Sequence, residues 1–254
     1  MLLCTVRRCG APLQQREHTL ICPRGHCFDI ARSGYVNLLQ PQDRRSRNPG
    51  DSPEVVAARR RLHDLGVTRP LVEAIAGIAR CSHQVLDAGC GDGFYLGTLA
   101  SEIGFRGYGI DISTRAADLA ARRYPQCEWI VANADRFIPY PDGSFDLVWS
   151  IHARMNAGEF RRVLVPGGRL LIALPAPGDL IELRGAGRDR AARTIEEFAA
   201  FRLIDRQRVT HVADLSPSAV RDVLRSIYRP FRSKPVEAMR VTFSSDVLLL
   251  EPAV

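Results

Sequence analysis

From residue 84 onward, short apolar runs alternate with segments whose apolar residues recur at helical spacing. Val85–Ala88, Gly107–Ile110, Trp129–Ala132, Phe145–Ile151 and Gly168–Leu174 read as buried strands, with Phe94–Ile103 as the helix after the first. Strands and helices in alternation, joined by short connections, predict a parallel sheet with helices on both faces. Further on, Glu196–Ala200 reads as helix and Arg202–Val212 as strand. Ser216 caps a predicted helix to Tyr228, and Ala238–Glu251 holds the last strand candidates. Upstream, Ser52 caps a helix with Pro53 at its first position, and a second helix runs from Arg69-Pro70 to Arg80. Residues 1–40 carry only short β-like pieces. The pattern divides the chain into 1–40, a linker with helices at 41–80, and an α/β domain at 81–254.

Hydrophobic residues at 46% and charged residues at 25% of 254 positions suffice for a sizeable core. No apolar run approaches the ~20 residues of a membrane span, and the N-terminus lacks the layout of a signal peptide. A cytoplasmic protein without a membrane partner is the expectation. The net charge of +7 invites a polyanion such as nucleic acid. Lys234 is the only lysine, however, and so strong an arginine bias is also what a GC-rich genome produces.

Seven cysteines are an odd number, and four of them fall within the first 27 residues. In a reducing compartment such crowding argues for metal rather than disulfides. Cys4 and Cys9, then Cys22 and His26, supply four soft ligands in two knuckles, the donor set of structural zinc. Cys27 competes with His26 for the fourth place. A segment this small buries too little surface to fold alone, so ligation would serve as its core.

The first predicted strand runs into Asp87-Ala88-Gly89-Cys90-Gly91-Asp92-Gly93. Glycines here let a ligand approach the backbone where a Cβ would block it, and the following helix aims its first amides at that ligand. Asp111 ends the second strand 18 residues after Gly93, a spacing suited to a carboxylate that accepts ribose hydroxyls. Its alternative role is to cap the helix after Ser113. The turn resembles motif I of class I S-adenosylmethionine (SAM) methyltransferases.

Behind the second knuckle comes Gly25-His26-Cys27-Phe28-Asp29, then Gly34-Tyr35-Val36-Asn37-Leu38-Leu39, Gly50-Asp51-Ser52 and Ala57-Ala58-Arg59-Arg60-Arg61. This run resembles the RlmA/TlrB family of 23S rRNA guanine-N1 methyltransferases, in the order zinc site, linker, SAM domain. The resemblance extends to about residue 185 and thins beyond it, with Tyr228–Pro235 standing where the family often has a Thr-Pro-x-x-x-Trp-like element. It implies a Rossmann-like doubly wound α/β domain behind a small zinc-binding domain, with SAM and zinc as cofactors. It further implies 23S rRNA as partner, a homodimer, and either housekeeping or macrolide-type resistance as the biological role.

On that resemblance, Asp87, Gly89 and Gly91 face the methionine end of SAM, Asp111 the ribose and Ile112 the adenine. Asn133 or Asp135 accepts from the adenine amino group. Phe28 and Tyr35 stack RNA bases while Arg44, Arg45, Arg47, Arg59, Arg60 and Arg61 meet phosphates. Core filling is the alternative for the aromatics, and a solvated helix face for the arginines. Guanine N1 carries a proton that must leave, and His152, beyond the fourth strand, is the candidate to take it. Its alternative is a plain backbone hydrogen bond at a strand end. The family's Ala-Pro after that strand is Ala153-Arg154 here. A competing reading keeps the scaffold but gives it a small-molecule acceptor.

Overall fold

The computed structural model describes residues 1–43, 49–227 and 236–253. Arg44, Arg45, Arg47 and the segment 228–235 lie outside the described residues.

The first 30 residues form a three-stranded antiparallel ribbon of β1 (Gln14–Arg16), β2 (Thr19–Ile21) and β3 (Cys27–Asp29). Then β4 (Val36–Asn37) leaves the ribbon and pairs in parallel with the strand that contains Ile130 and Val131. Two helices follow, α1 (Pro53–Asp64) and α2 (Arg69–Ala79). As expected, Ser52 caps α1, its Oγ accepting from Val55 N at 3.4 Å, with Pro53 at the first position.

The alternating region folds as β5 (Gln84–Ala88), α3 (Phe94–Ile103), β6 (Arg106–Asp111), α4 (Thr114–Arg123), β7 (Glu128–Val131), β8 (Phe145–Ile151), α5 (Ala157–Val163) and β9 (Leu164–Pro175). Short α6 (Ile181–Arg184) and α7 (Arg190–Glu197) lead to β10 (Phe201–Leu215), α8 (Pro217–Ser226) and β11 (Met239–Pro252). The eight-stranded sheet has the order β10-β11-β9-β8-β5-β6-β7-β4. Strands β5 to β9 pair in parallel, and β11 is antiparallel to both β9 and β10. Strand order reverses between β5 and β8, which opens a crevice at their carboxyl ends, the place where doubly wound sheets bind ligands.

One expectation shifts. The helix expected at Glu196–Ala200 is α7, which ends at Glu197 after starting at Arg190. Asp189 sets that start, because its Oδ1 accepts from Ala191 N at 2.9 Å.

Apolar packing runs without a break from the ribbon into the sheet. Leu13, Leu20, Phe28, Val36 and Leu38 belong to the same buried cluster as Leu86, Ile110, Ile130 and Phe145. Leu3 N also donates to Pro139 O at 2.9 Å, and Leu38 N to Val131 O at 2.9 Å. Among the described residues, no helix is long and apolar enough to cross a membrane.

Candidate cofactor and metal sites

Two tight turns of the ribbon bring Cys4, Cys9, Cys22 and His26 together, all four ligand atoms within 4.8 Å of one another. Cys9 Sγ lies 3.8 Å from Cys22 Sγ, and His26 Nδ1 lies 3.4 Å from Cys4 Sγ and 3.3 Å from Cys22 Sγ. A tetrahedron with Zn–S bonds of about 2.3 Å has edges of about 3.8 Å, so the donors stand at the vertices zinc requires. Burial and the adjacent thiols push Cys4 up to about 12. At Cys22 burial also raises the pKa, but backbone N–H groups of His26 and Arg24 outweigh it and bring the thiol down to about 7. A bound cation would let the four ligands coexist as donors. The choice between His26 and Cys27 falls to His26, since the Cys27 side chain is exposed and turns to Gly25 O at 3.5 Å.

The crevice between β5 and β8 is built from the glycine turn. Gly89 has φ +92, and a Cβ there would stand 2.4 Å from Ala153 Cβ, so only glycine fits between the ends of β5 and β8. At Gly91, with φ +55, a Cβ would meet nothing within 4 Å, which leaves its backbone facing open space. Asp87 is 2% exposed, and its Oδ1 has no hydrogen-bond partner. Burial, with a smaller push from Asp111, raises Asp87 to about 7. A buried acceptor with no partner costs about 1–3 kcal/mol, and a cationic ammonium at this place would supply the missing donor. Asp111 Oδ2 accepts from Gly91 N at 2.9 Å and Oδ1 from Ser113 N at 2.8 Å, which ties the ends of β5 and β6 together. Burial raises its pKa, while those two N–H groups pull the other way. Ile112 joins Tyr35, Leu39, Ala117 and Val131 in a small apolar cluster beyond β6. These residues fit SAM, whose sulfonium would supply an activated methyl group.

The linker before α1 borders this crevice. Asn133 Nδ2 donates to Asp43 O at 2.9 Å, its Oδ1 accepts from Asp135 N at 3.1 Å, and Asp43 pairs with Arg136 at 3.0 Å. Asp135 keeps a carboxylate that meets Arg154 at 3.6 Å. Gly50, with φ +90, packs so closely on Ser113 that a Cβ would lie 2.5 Å from the serine Cβ. Sequence reading missed these contacts, because local pattern carries no sign of which strand end a linker will touch.

Two expectations about RNA contact, those for Phe28 and Arg60, are corrected by packing. Phe28 is 8% exposed within the core that joins ribbon and sheet, so its ring faces are already occupied. Arg60 is held by Asp92 at 2.7 Å in a pair only 12% and 10% exposed, out of reach of a phosphate. Arg61 makes a bidentate pair with Asp222, with both contacts at 2.7 Å, but its side chain stays about half exposed. Arg59 is also engaged, by Asp51. Tyr35 is half-buried beside Ile112 rather than displayed on the ribbon.

His152 follows β8 directly, with φ +53, and its Nε2 lies 3.0 Å from Ser245 Oγ. The residue is exposed. The surrounding protein and the positive charges of Arg59, Arg190 and Arg184 nevertheless lower its pKa to about 4. It is therefore neutral through the physiological range, the form in which an imidazole can accept a proton, though as a weaker base than a free histidine.

Comparison with known proteins fits this geometry. Residues 3–47 match the family described as RlmA, N-terminal, a zinc ribbon, and residues 86–172 match the methyltransferase domain family. The 23S rRNA (guanine(748)-N(1))-methyltransferase of Streptomyces fradiae is 38% identical over 182 residues, covering 69% of this chain and 64% of that protein. The chain thus spans just under two thirds of that relative's length. The 2-methyl-6-phytyl-1,4-hydroquinone methyltransferase of a Synechocystis strain is 38% identical over 99 residues, or 35% of this chain and 31% of that one. A chain from the complex of the Haloferax volcanii Trm112 methyltransferase activator shares the fold, with a TM-score of 0.53 and 20% identity. It is matched over 80% of this chain and 100% of its own length. The chain joins an RlmA-type zinc ribbon to a class I SAM-dependent methyltransferase domain, the two parts of the RlmA/TlrB pattern in the same order.

Proposed function

We propose that this protein transfers the methyl group of SAM to N1 of a guanine in a 23S rRNA hairpin. The observation that carries the reading is the zinc ribbon fused to the methyltransferase sheet, with a relative named for that reaction that matches 69% of this chain. In this reading Asp87, Gly89 and Gly91 bind the methionine end of the cofactor. Asp111 takes the ribose, Ile112 packs the adenine, and Asn133 or Asp135 meets its amino group. Cys4, Cys9, Cys22 and His26 hold zinc. Tyr35, Arg44, Arg45, Arg47 and Arg59 remain the candidates for RNA contact. The ribbon grips the hairpin, in a cytoplasmic homodimer with RNA between the two ribbons, and the modification serves either ribosome maturation or macrolide-type resistance.

The test supplies labelled SAM and 23S rRNA from cells that lack the modification. Methylation at N1 blocks the pairing edge of guanine, so reverse transcription of the product is expected to stop beside one hairpin guanine. Transfer of label to a small acceptor, with none to RNA, would overturn the reading in favour of the small-molecule alternative.

A further inference from the structure

His152 reaches across the end of β9 to Ser245 on β11, a contact between strands that are not neighbours in the sheet. The histidine holds a left-handed backbone, φ +53, which costs a non-glycine residue on the order of 1 kcal/mol and needs support from its surroundings. Part of that support is backbone, because His152 N donates to Ala173 O at 2.9 Å. The rest is the side-chain contact. Ser245 is 7% exposed, and its hydroxyl has no other partner among the described residues.

A buried O–H with no acceptor costs about 1–3 kcal/mol, so the hydroxyl donates to the acceptor within its reach, Nε2. Neutral imidazole carries one N–H. With Nε2 accepting, that hydrogen sits on Nδ1, which no described residue engages, on an exposed residue just past the carboxyl end of β8.

We propose that Ser245 is a positioning residue that fixes the Nδ1–H tautomer of His152, so that the ring donates a hydrogen bond to the carbonyl oxygen beside the nitrogen that is methylated. The proposal rests on the guanine-N1 reading, in which that oxygen is O6. The N1–H bond breaks and its proton leaves to water, while the electron pair spreads over N1 and O6. The His152 donor meets the charge at O6, and the nearby positive charges of Arg59, Arg184 and Arg190 favour it. That pair then forms the N1–CH3 bond as the methyl leaves the sulfonium, whose sulfur keeps the electrons of the broken bond. The base ends neutral.

The first readout needs no RNA. In the full-length protein labelled with 15N histidine, the His152 signals are assigned by their loss in His152→Gln. Wild type is expected to show a protonated Nδ1 and an unprotonated Nε2. Ser245→Ala shifts the ring toward the Nε2–H form, and Ser245→Thr, which keeps the hydroxyl, restores the wild-type pattern. The same tautomer in wild type and Ser245→Ala would overturn the proposal. The second readout is rRNA methylation. Ser245→Ala is expected to lower kcat about tenfold with KM for SAM unchanged, and His152→Phe to lower it about a hundredfold. Unchanged kcat in both variants would also overturn it. Wild-type protein that methylates no guanine would instead sink the substrate reading, while the nitrogen signals still decide the role of Ser245.

Discussion

Arg60 Nε donates to Asp92 Oδ2 at 2.7 Å, which fastens the helix ahead of the sheet to the glycine turn after β5. The rings of Phe94 and Tyr124 flank the guanidinium, with centroids 5.4 and 5.8 Å from its carbon. Removing one member of a buried pair strands the other charge, which typically costs about 3–5 kcal/mol. Arg60→Ala is therefore expected to lower the unfolding free energy by roughly 3 kcal/mol, read as an earlier urea midpoint. An unmoved midpoint would mean that the pair does not fasten α1.

Metal content separates the zinc ligands from their neighbour. Cys22→Ser and His26→Ala should lose the ion, and Cys27→Ser should keep about one zinc per chain. Chelation should also lower the melting temperature of the whole protein, because structural zinc contributes on the order of 10–16 kcal/mol in small domains. Zinc lost equally from all three variants would return Cys27 to the ligand set.

Asp87 makes cofactor binding depend on pH. Burial holds its carboxyl at about 7 in the free protein, so below that value the group is protonated and offers no charge to an ammonium. Binding then releases a proton. SAM affinity should rise about tenfold per pH unit toward 7 and level off above it. Titration calorimetry should find Asp87→Asn weaker and flat over the same range. An equally flat wild type would remove Asp87 from the methionine end.

His63 stacks on Phe94 with ring centroids 3.9 Å apart and lies 2.9 Å from Thr68 Oγ1 through Nδ1. Burial, then the charges of Arg60 and Arg59, push its pKa down to about 3, against about 6.5 in the unfolded chain. Between these values only the unfolded chain takes up the proton, so acidification favours unfolding. The stability is complete above pH 6.5 and is lost as pH falls, with a slope of up to about 1.4 kcal/mol per pH unit. Urea midpoints at pH 7 and pH 5 should differ more in wild type than in His63→Phe. Equal losses would place the acid sensitivity elsewhere.

Much of the sheet was legible because parallel strands buried on both faces leave continuous apolar runs, and β5 to β8 fell within a residue or two of expectation. The cofactor turn was legible for a different reason. Positive φ at Gly89 and Gly91 admits few other residues, so the geometry is written in residue type. Phe28 was readable in principle, since it alternates with exposed Cys27 and Asp29 along β3 and so points inward. What pattern does not encode is the partner of a long side chain. Arg59, Arg60 and Arg61 look alike in sequence, yet one meets Asp51, one Asp92 and one Asp222. The Ser245 contact was hidden for the same reason, 93 positions along the chain from His152.

The two residues of β4 have a consequence for anyone dividing the chain. They lie along the outer side of β7, where a bare strand would offer free N–H and C=O groups to any passing chain. A fragment that begins after residue 40 would keep the glycine turn and every strand of the parallel core. It would also uncover that edge beside Ile130 and Val131, together with the apolar surface now under Val36 and Leu38. The N-terminal segment is thus a guard against self-association, and cutting it away would leave a sticky edge.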